Sequence, residues 1–290
     1  MASVADWIEG ARPRTLPAAV APVLLGTGAA AQVGSASVPR ALLAAGVALA
    51  LQVGVNYAND YSDGVRGTDE FRTGPQRLTG GGLAAPGKVK AAALASLGVG
   101  ALLGLVLVAV SGQWWMLAVG AVCLLAAWGY TGGSRPYGYM GLGEVFVFVF
   151  FGLVATLGTT WTQAGELPWT AWAAAVGVGL VACALLMVNN IRDIPTDVPA
   201  GKRTVAVRLG DRLARRTYVA MLAVPVLLGL ACAIVAPWSL LVLLLLPLAW
   251  RCCAPVLRGA AGRDLIGVLR DTGFLELGYG LTLSLGLALG

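Results

Sequence analysis

Two runs of acid and amide side chains stand at the ends of long apolar stretches. The first reads Asn56-Tyr-Ala-Asn59-Asp60-Tyr-Ser-Asp63-Gly-Val-Arg66-Gly-Thr-Asp69, and the second contains Asn189, Asn190, Arg192, Asp193 and Asp197, followed by Gly201-Lys202-Arg-Thr204. Carboxylates beside a bilayer are costly unless something compensates them. Hard oxygen donors suit magnesium, which takes one or two carboxylates together with substrate phosphates. On a helix, residues three, four and seven apart share a face, so Asn56, Asp60 and Asp63 form one polar stripe. Asn189, Asp193 and Asp197 form another, with Pro195 predicted to end or loosen the helix so that Asp197 falls just past it. Capped, solvated helix ends are the alternative reading; two parallel Asn-x3-Asp runs favour a site that grips a metal-bridged diphosphate.

Cations accompany both runs. Arg66, Arg72 and Arg77 follow the first, and Arg192, Lys202 and Arg208 flank the second. Arginine suits bidentate phosphate contacts and lysine a point-charge contact. Gly201-Lys202-x-Thr204 lacks the upstream glycine of a P-loop. Gly80-Gly81-Gly82 fits a backbone anion nest or plain loop flexibility. Tyr130, Tyr137 and Tyr139 share a loop, where aromatic faces stabilise a cation or simply mark the membrane interface. Glu144, an acid opening an apolar stretch, reads as a general base or an interface residue. With no histidine in the chain, imidazole catalysis and imidazole–zinc chemistry are excluded. The five cysteines form no CxxC pair and read as small buried hydrophobes.

The elements that must position these groups are membrane helices. A mean hydropathy of +0.80, with 58% hydrophobic and 12% charged residues, is too apolar for a water-soluble chain of 290 residues. Taking spans of about 17 to 25 apolar residues, nine segments emerge: 16–33, 40–60, 90–110, 114–131, 143–163, 170–190, 217–236, 238–257 and 273–289. Pro17 and Pro22 interrupt the first, which reads as a span and not a cleaved leader. If loops alternate sides, every Lys and Arg except Arg40 falls on one side, predicting a cytoplasmic N-terminus and cytoplasmic acidic loops. The net charge of +6 then reflects orientation, not nucleic-acid binding. The expected architecture is all-α, a polytopic bundle of about nine transmembrane helices forming a single domain over residues 1–290 with a central cavity.

These motifs resemble the UbiA superfamily of intramembrane prenyltransferases. The resemblance covers nearly the whole chain and rests on Arg12-Pro-Arg14-Thr-Leu-Pro17, the Asn56–Asp69 run and Arg72-x-Gly74-Pro75. Its most specific piece is Asn189-Asn190-x-Arg192-Asp193-x3-Asp197-x3-Gly201-Lys202-x-Thr204-x3-Arg208-x-Gly210. Gly67 stands where the benzoate-using branch typically carries an aspartate, and the acid falls at Asp69, as in the naphthoate-using branch. The resemblance implies Mg2+ on Asp60, Asp63, Asp193, Asp197 and Asp69, with catalysis by those first four and Lys202. It implies diphosphate binding by Asn56, Asn59, Arg66, Arg72, Arg77, Asn189, Arg192, Lys202 and Arg208. Tyr130, Tyr137, Tyr139 and Glu144 are candidates for stabilising the acceptor or an allylic cation. The implied reaction transfers a polyprenyl group from its diphosphate to 1,4-dihydroxy-2-naphthoate with loss of carbon dioxide, giving demethylmenaquinone. The implied location is a bacterial inner membrane. The same fold accommodates another acceptor, such as 4-hydroxybenzoate. A cation-coupled transporter would instead place charges at mid-membrane and polar groups on both faces, whereas the acids singled out here cluster on one face, apart from Glu166.

Overall fold

Long runs of Leu, Val, Ala and Gly without a polar face must satisfy their backbone internally, which in a bilayer leaves the helix. The computed structural model describes residues 2–67, 77–133, 136–199 and 201–290, with Tyr139 described by its backbone alone. Among these residues every regular element is helical. In chain order they are α1 (Val4–Ala11), α2 (Pro17–Gln32), α3 (Val38–Arg66), α4 (Pro86–Ser111), α5 (Met116–Gly129), α6 (Gly143–Val147) and α7 (Ala155–Ala164). They continue with α8 (Trp169–Asp197), α9 (Val205–Leu209), α10 (Asp211–Cys232), α11 (Leu246–Leu257) and α12 (Asp264–Leu289).

Seven helices, counted among the described residues, are long and apolar enough to cross a membrane. An eighth arises if Val4–Thr15 and Pro17–Gln32, bent by 47°, count as one broken span, and α5 is a shorter apolar helix. Each of the nine apolar segments read from the sequence thus carries a helix. Three departures matter. α3 runs to Arg66, so its whole acidic run up to Asp63 is helical. Pro195 lies inside α8 and does not end it; Asp197 is the last helical residue, and Val198 N–H still donates to Ile194 at 3.1 Å. Proline near a C-terminus removes one donor without a helix left to break. Finally, α6 and α7 are joined through a π-helical stretch, Phe148–Val154, within one 22-residue apolar element, Gly143–Ala164.

The chain forms two compact units. Unit 1 comprises Met1–Leu16 and Leu43–Gly138, and unit 2 comprises Pro17–Leu42 and Tyr139–Gly290. In unit 1, Tyr57, Ala58, Leu78, Val89 and Ala93 make a small core. α1 is tied to it by the Tyr57 hydroxyl donating to the Trp7 carbonyl at 2.8 Å and by edge-on packing of the two rings. A Ser3–Asp6 capping box starts α1. Beyond α1, Arg12 turns the chain at φ 54°.

Unit 2 is built around α8, 72% of whose most apolar window is buried, as a helix apolar on all sides requires. α2 and α12 pack on it and, through small residues, on each other. A Cβ on Gly280 would lie 2.8 Å from Ala21 Cα, and one on Gly28 would lie 2.6 Å from Ser284 Cα. Such close approach is how helices associate when burial from water offers no drive. Ser284 adds a 2.7 Å hydrogen bond to the Leu24 carbonyl. Gly280→Leu is therefore expected to destabilise the protein by about 1–3 kcal/mol through overpacking, read as a lowered thermal midpoint in detergent. At one end of this unit Arg40 donates to the Thr162 and Gln163 carbonyls, closing the C-terminus of α7.

Candidate active site

The first acidic run occupies the last turns of α3, within unit 1. Asn56, Asn59, Asp60 and Asp63 are all buried, which for such groups demands partners. Asn56 donates to the Ala11 carbonyl at 2.9 Å and to the Thr15 hydroxyl at 3.0 Å, and Gln52 reaches the same hydroxyl at 2.8 Å. It thereby holds the Arg12–Thr15 turn. Asn59 accepts from the Thr131 hydroxyl at 2.7 Å. Arg66 donates to the Thr131 and Gly133 carbonyls. These two side chains, expected on the diphosphate, clamp the loop that follows α5. Asp60 accepts backbone N–H groups on both oxygens, from Leu78 at 2.9 Å and Thr79 at 2.8 Å. Asp63 pairs with Arg77 at 3.6 Å.

On the same unit the rings of Tyr61 and Trp128 stack, and the Lys90 ammonium lies over both, 5.7 Å and 6.0 Å from their centres. Tyr130 meets Tyr137 edge-on at 5.5 Å, and the Tyr137 hydroxyl donates to the Ala126 carbonyl at 2.7 Å. Burial, and then the neighbouring Tyr130, push the Tyr137 phenol well above its ordinary range, so it remains a proton-bearing donor. Of the expected residues, Asp69 and Arg72 lie outside those described, and Tyr139 is known by its backbone only.

The second run ends α8, within unit 2. The Arg192 guanidinium grips its neighbour Asp193 through both oxygens, at 2.7 and 2.8 Å, and reaches Asn189 Oδ1 at 2.9 Å. The side chains of Arg192 and Asp193 remain 17% and 26% exposed, so this triad can still be reached. One residue on from Asn189, the Asn190 amide donates to Glu144 Oε1 at 3.0 Å. Asp197 pairs with Lys202 at 3.4 Å across a tight turn that the Lys202 N–H closes onto the Asp197 carbonyl. Thr204 caps α9 by accepting from Val207 N–H. Arg208 donates to the Met140 carbonyl at 2.9 Å and the Arg203 carbonyl at 3.2 Å, again a loop clamp.

Each of these four aspartates thus meets an N–H donor or an ammonium. Among the described residues no three acid or cysteine side chains gather closely enough to hold a metal between them. The donor chemistry nonetheless suits a hard cation. Asp63, Asp193 and Asp197 pair with side-chain cations, whereas Asp60 is held by backbone N–H groups on both oxygens. Sequence reasoning missed these loop-clamping roles, and it missed Glu276, a fully buried acid in α12. The signal that flagged Glu144, an acid in an apolar run, was equally present there.

Residues 19–261 match the UbiA prenyltransferase family. The chain belongs to that family. This UbiA prenyltransferase is 54% identical over 290 residues to 1,4-dihydroxy-2-naphthoate octaprenyltransferase of Mycobacterium tuberculosis, covering 100% of this chain and 99% of that one. It is 40% identical over 222 residues to the Escherichia coli protein of the same description, covering 74% of this chain and 72% of that one. Its fold is shared with an apo UbiA homolog from Aeropyrum pernix K1 (TM-score 0.69, 17% identity, 93% and 96% of the two chains). A UbiA homolog from Archaeoglobus fulgidus bound to GPP and Mg2+ also matches (TM-score 0.65, 15% identity, 96% and 99% of the two chains). The UbiA prenyltransferase described here is thus an all-helical, multi-pass membrane enzyme.

Proposed function

We propose that the enzyme transfers a polyprenyl group from its diphosphate to 1,4-dihydroxy-2-naphthoate, with loss of the ring carboxyl as carbon dioxide, giving demethylmenaquinone. The observation that carries this reading is the Arg192–Asp193–Asn189 triad at the tip of α8, matched by an Asn-x3-Asp run at the tip of α3. A guanidinium already bound to a carboxylate is poised to exchange it for phosphate oxygens, which frees Asp193 for a cation. Asp60, Asp63 and Asp69 of the first run and Asp193 and Asp197 of the second would be the Mg2+ ligands. When bound, that ion neutralises diphosphate charge and improves the leaving group.

The chain's own groups do the rest. Lys202, Arg192 and Arg77, with Arg72, meet the diphosphate oxygens, and the charge that grows as the allylic C–O bond breaks is met by fixed cations. The apolar helix walls hold the isoprenoid tail and keep water from the electron-deficient carbon. Glu144, oriented by Asn190, accepts the hydroxyl proton of the acceptor. Tyr130 and Tyr137, whose rings meet edge-on, would stabilise the cationic carbon through their ring faces. The excess of Lys and Arg on the loops carrying the acidic runs supports a cytoplasmic placement for both runs.

Mass spectrometry of products tests this with purified enzyme, polyprenyl diphosphate and a mixture of dihydroxynaphthoate and 4-hydroxybenzoate. The expected product is the prenylated naphthoquinol lacking the carboxyl group, formed with Mg2+ and absent when EDTA is added. Equal or preferential prenylation of 4-hydroxybenzoate would overturn the assignment of the acceptor.

A further inference from the structure

Arg251 of α11 and Arg270 of α12 meet on one buried carboxylate. Arg251 Nε stands 2.8 Å from Asp271 Oδ2, and Arg270 donates from Nε and Nη2 to Asp271 Oδ1 at 3.0 and 2.9 Å. The Asp271 side chain is 9% exposed, whereas those of Arg251 and Arg270 are 64% and 58% exposed. Among the described residues neither guanidinium has another partner. Two cations on one anion leave a positive charge unmatched. α12 turns its acids inward, for Glu276, further along the helix, is fully buried with no hydrogen-bond partner among the described residues.

Both arginines stand at the depth of lipid headgroups. From Arg270 to Leu289, the last residue of α12, an α-helix rises about 28 Å, against a hydrocarbon core of about 30 Å. The span that carries Arg251 opens with a 3₁₀ stretch, Pro237–Leu245, in which each residue rises about 2.0 Å. Pro237 to Arg251 therefore covers about 25 Å, which brings the second guanidinium to a similar level. The exposed side chains around the pair are apolar. Ile266 and Phe274 lie one turn either side of Arg270, and Leu281 and Leu285 continue that face. Trp250, 66% exposed, precedes Arg251, and tryptophan is enriched where membrane meets water. A face this apolar is turned to lipid.

We propose that Arg251 and Arg270 form a binding site for the headgroup of an anionic phospholipid, with Asp271 fixing both guanidiniums from the protein side. Arginine suits bidentate phosphate contacts, and basic pockets between membrane helices bind anionic headgroups. A positive charge turned to lipid is costly unless an anion meets it. A phospholipid phosphate meets it at this depth without leaving the bilayer. Phe274, one turn deeper than Arg270, offers the acyl chains an apolar surface. The site uses none of the residues assigned to diphosphate or metal, and it does not depend on which acceptor is prenylated.

Native mass spectrometry of the full-length enzyme, taken from detergent with added phosphatidylglycerol or phosphatidylcholine, tests the site. Phosphatidylcholine carries the same phosphate with its charge cancelled by choline. Wild type is expected to bind phosphatidylglycerol more tightly, on the order of tenfold. Arg251→Gln and Arg270→Gln should each lower that preference about fivefold, because the remaining arginine then only balances Asp271. Each single variant keeps a cation on the buried acid, which protects the fold. Arg212→Gln/Arg216→Gln, which removes two exposed arginines of α10, should leave the preference unchanged. Equal binding of the two lipids, or a preference that survives both single variants, overturns the site. So does an equal loss in the α10 variant, which would reduce the effect to general surface charge. If glycerol phosphate in water displaces the lipid at equal concentration, the ligand is a soluble phosphate. If wild type is a dimer that the variants split, the occupant is a second copy. Either result removes the lipid from the site. If neither single variant folds, the wild-type discrimination and the α10 variant decide.

Discussion

Asp193→Ala is expected to lower kcat/KM by about 10²–10³-fold, the range found when one preorganised stabiliser of developing charge is removed. The thermal midpoint should move by no more than about 2 °C. The basis for the separation is that every partner of the Asp193 carboxylate is a side chain of its own helix, Arg192 or Asn189. Among the described residues no loop or second helix depends on it. Asp193→Asn should resemble the alanine variant in activity, since a neutral amide neither holds a cation nor balances Arg192. The measurements are steady-state turnover and detergent-phase thermal unfolding on the same preparations. A variant that keeps wild-type turnover would remove the α8 triad from the chemistry.

Asp60→Ala should behave differently, losing both activity and stability. Its two oxygens accept the Leu78 and Thr79 amides, the first of them buried. Removing the carboxylate leaves two backbone donors without a partner, at about 1–3 kcal/mol for each one that stays buried. The expected outcome is a midpoint lowered by several degrees, on the order of 2–4 °C per kcal/mol, and turnover reduced at least as far as in Asp193→Ala. Asp60→Asn should recover part of the stability, because its single carbonyl oxygen still accepts one amide, and little of the activity. Hydrogen exchange at Leu78 and Thr79 checks the structural half directly: faster exchange in Asp60→Ala and intermediate exchange in Asp60→Asn. Unchanged exchange would show that this carboxylate does not anchor the segment.

The contrast between these aspartates marks where sequence reasoning works and where it stops. The stripe Asn56, Asp60, Asp63 was legible because a helix repeats every 3.6 residues, so spacing alone sets a common face. Apolar length made the nine helical segments equally legible. Partners across long chain separations were not. Asn59 meets Thr131, Arg66 meets Gly133, and Arg208 meets Met140, at separations of 72, 67 and 68 residues. Nothing in local spacing tells whether an arginine faces a phosphate or a loop carbonyl, because guanidinium donates well to either. Spacing predicts that Pro195 ends or loosens the helix, yet it falls within the last turn of α8, where only two helical residues follow for a kink to redirect. Glu276 carried the same local signal as Glu144, and its lack of partners emerges only from the packing of α12.

The π-helical stretch between α6 and α7 has a consequence for register. A π turn accommodates one residue more than an α turn, and so behaves as a single insertion within an otherwise regular helix. Were the stretch from Phe148 to Val154 wound as ordinary α-helix with every residue kept, Glu144 would swing by about 100° about the axis relative to Thr156 and Thr160. Asn190 would then lose its acid while the membrane-spanning length barely changed. This one wide turn is therefore the gear tooth that aims Glu144, and deleting one residue from it would let α geometry return with the acid still facing its partner.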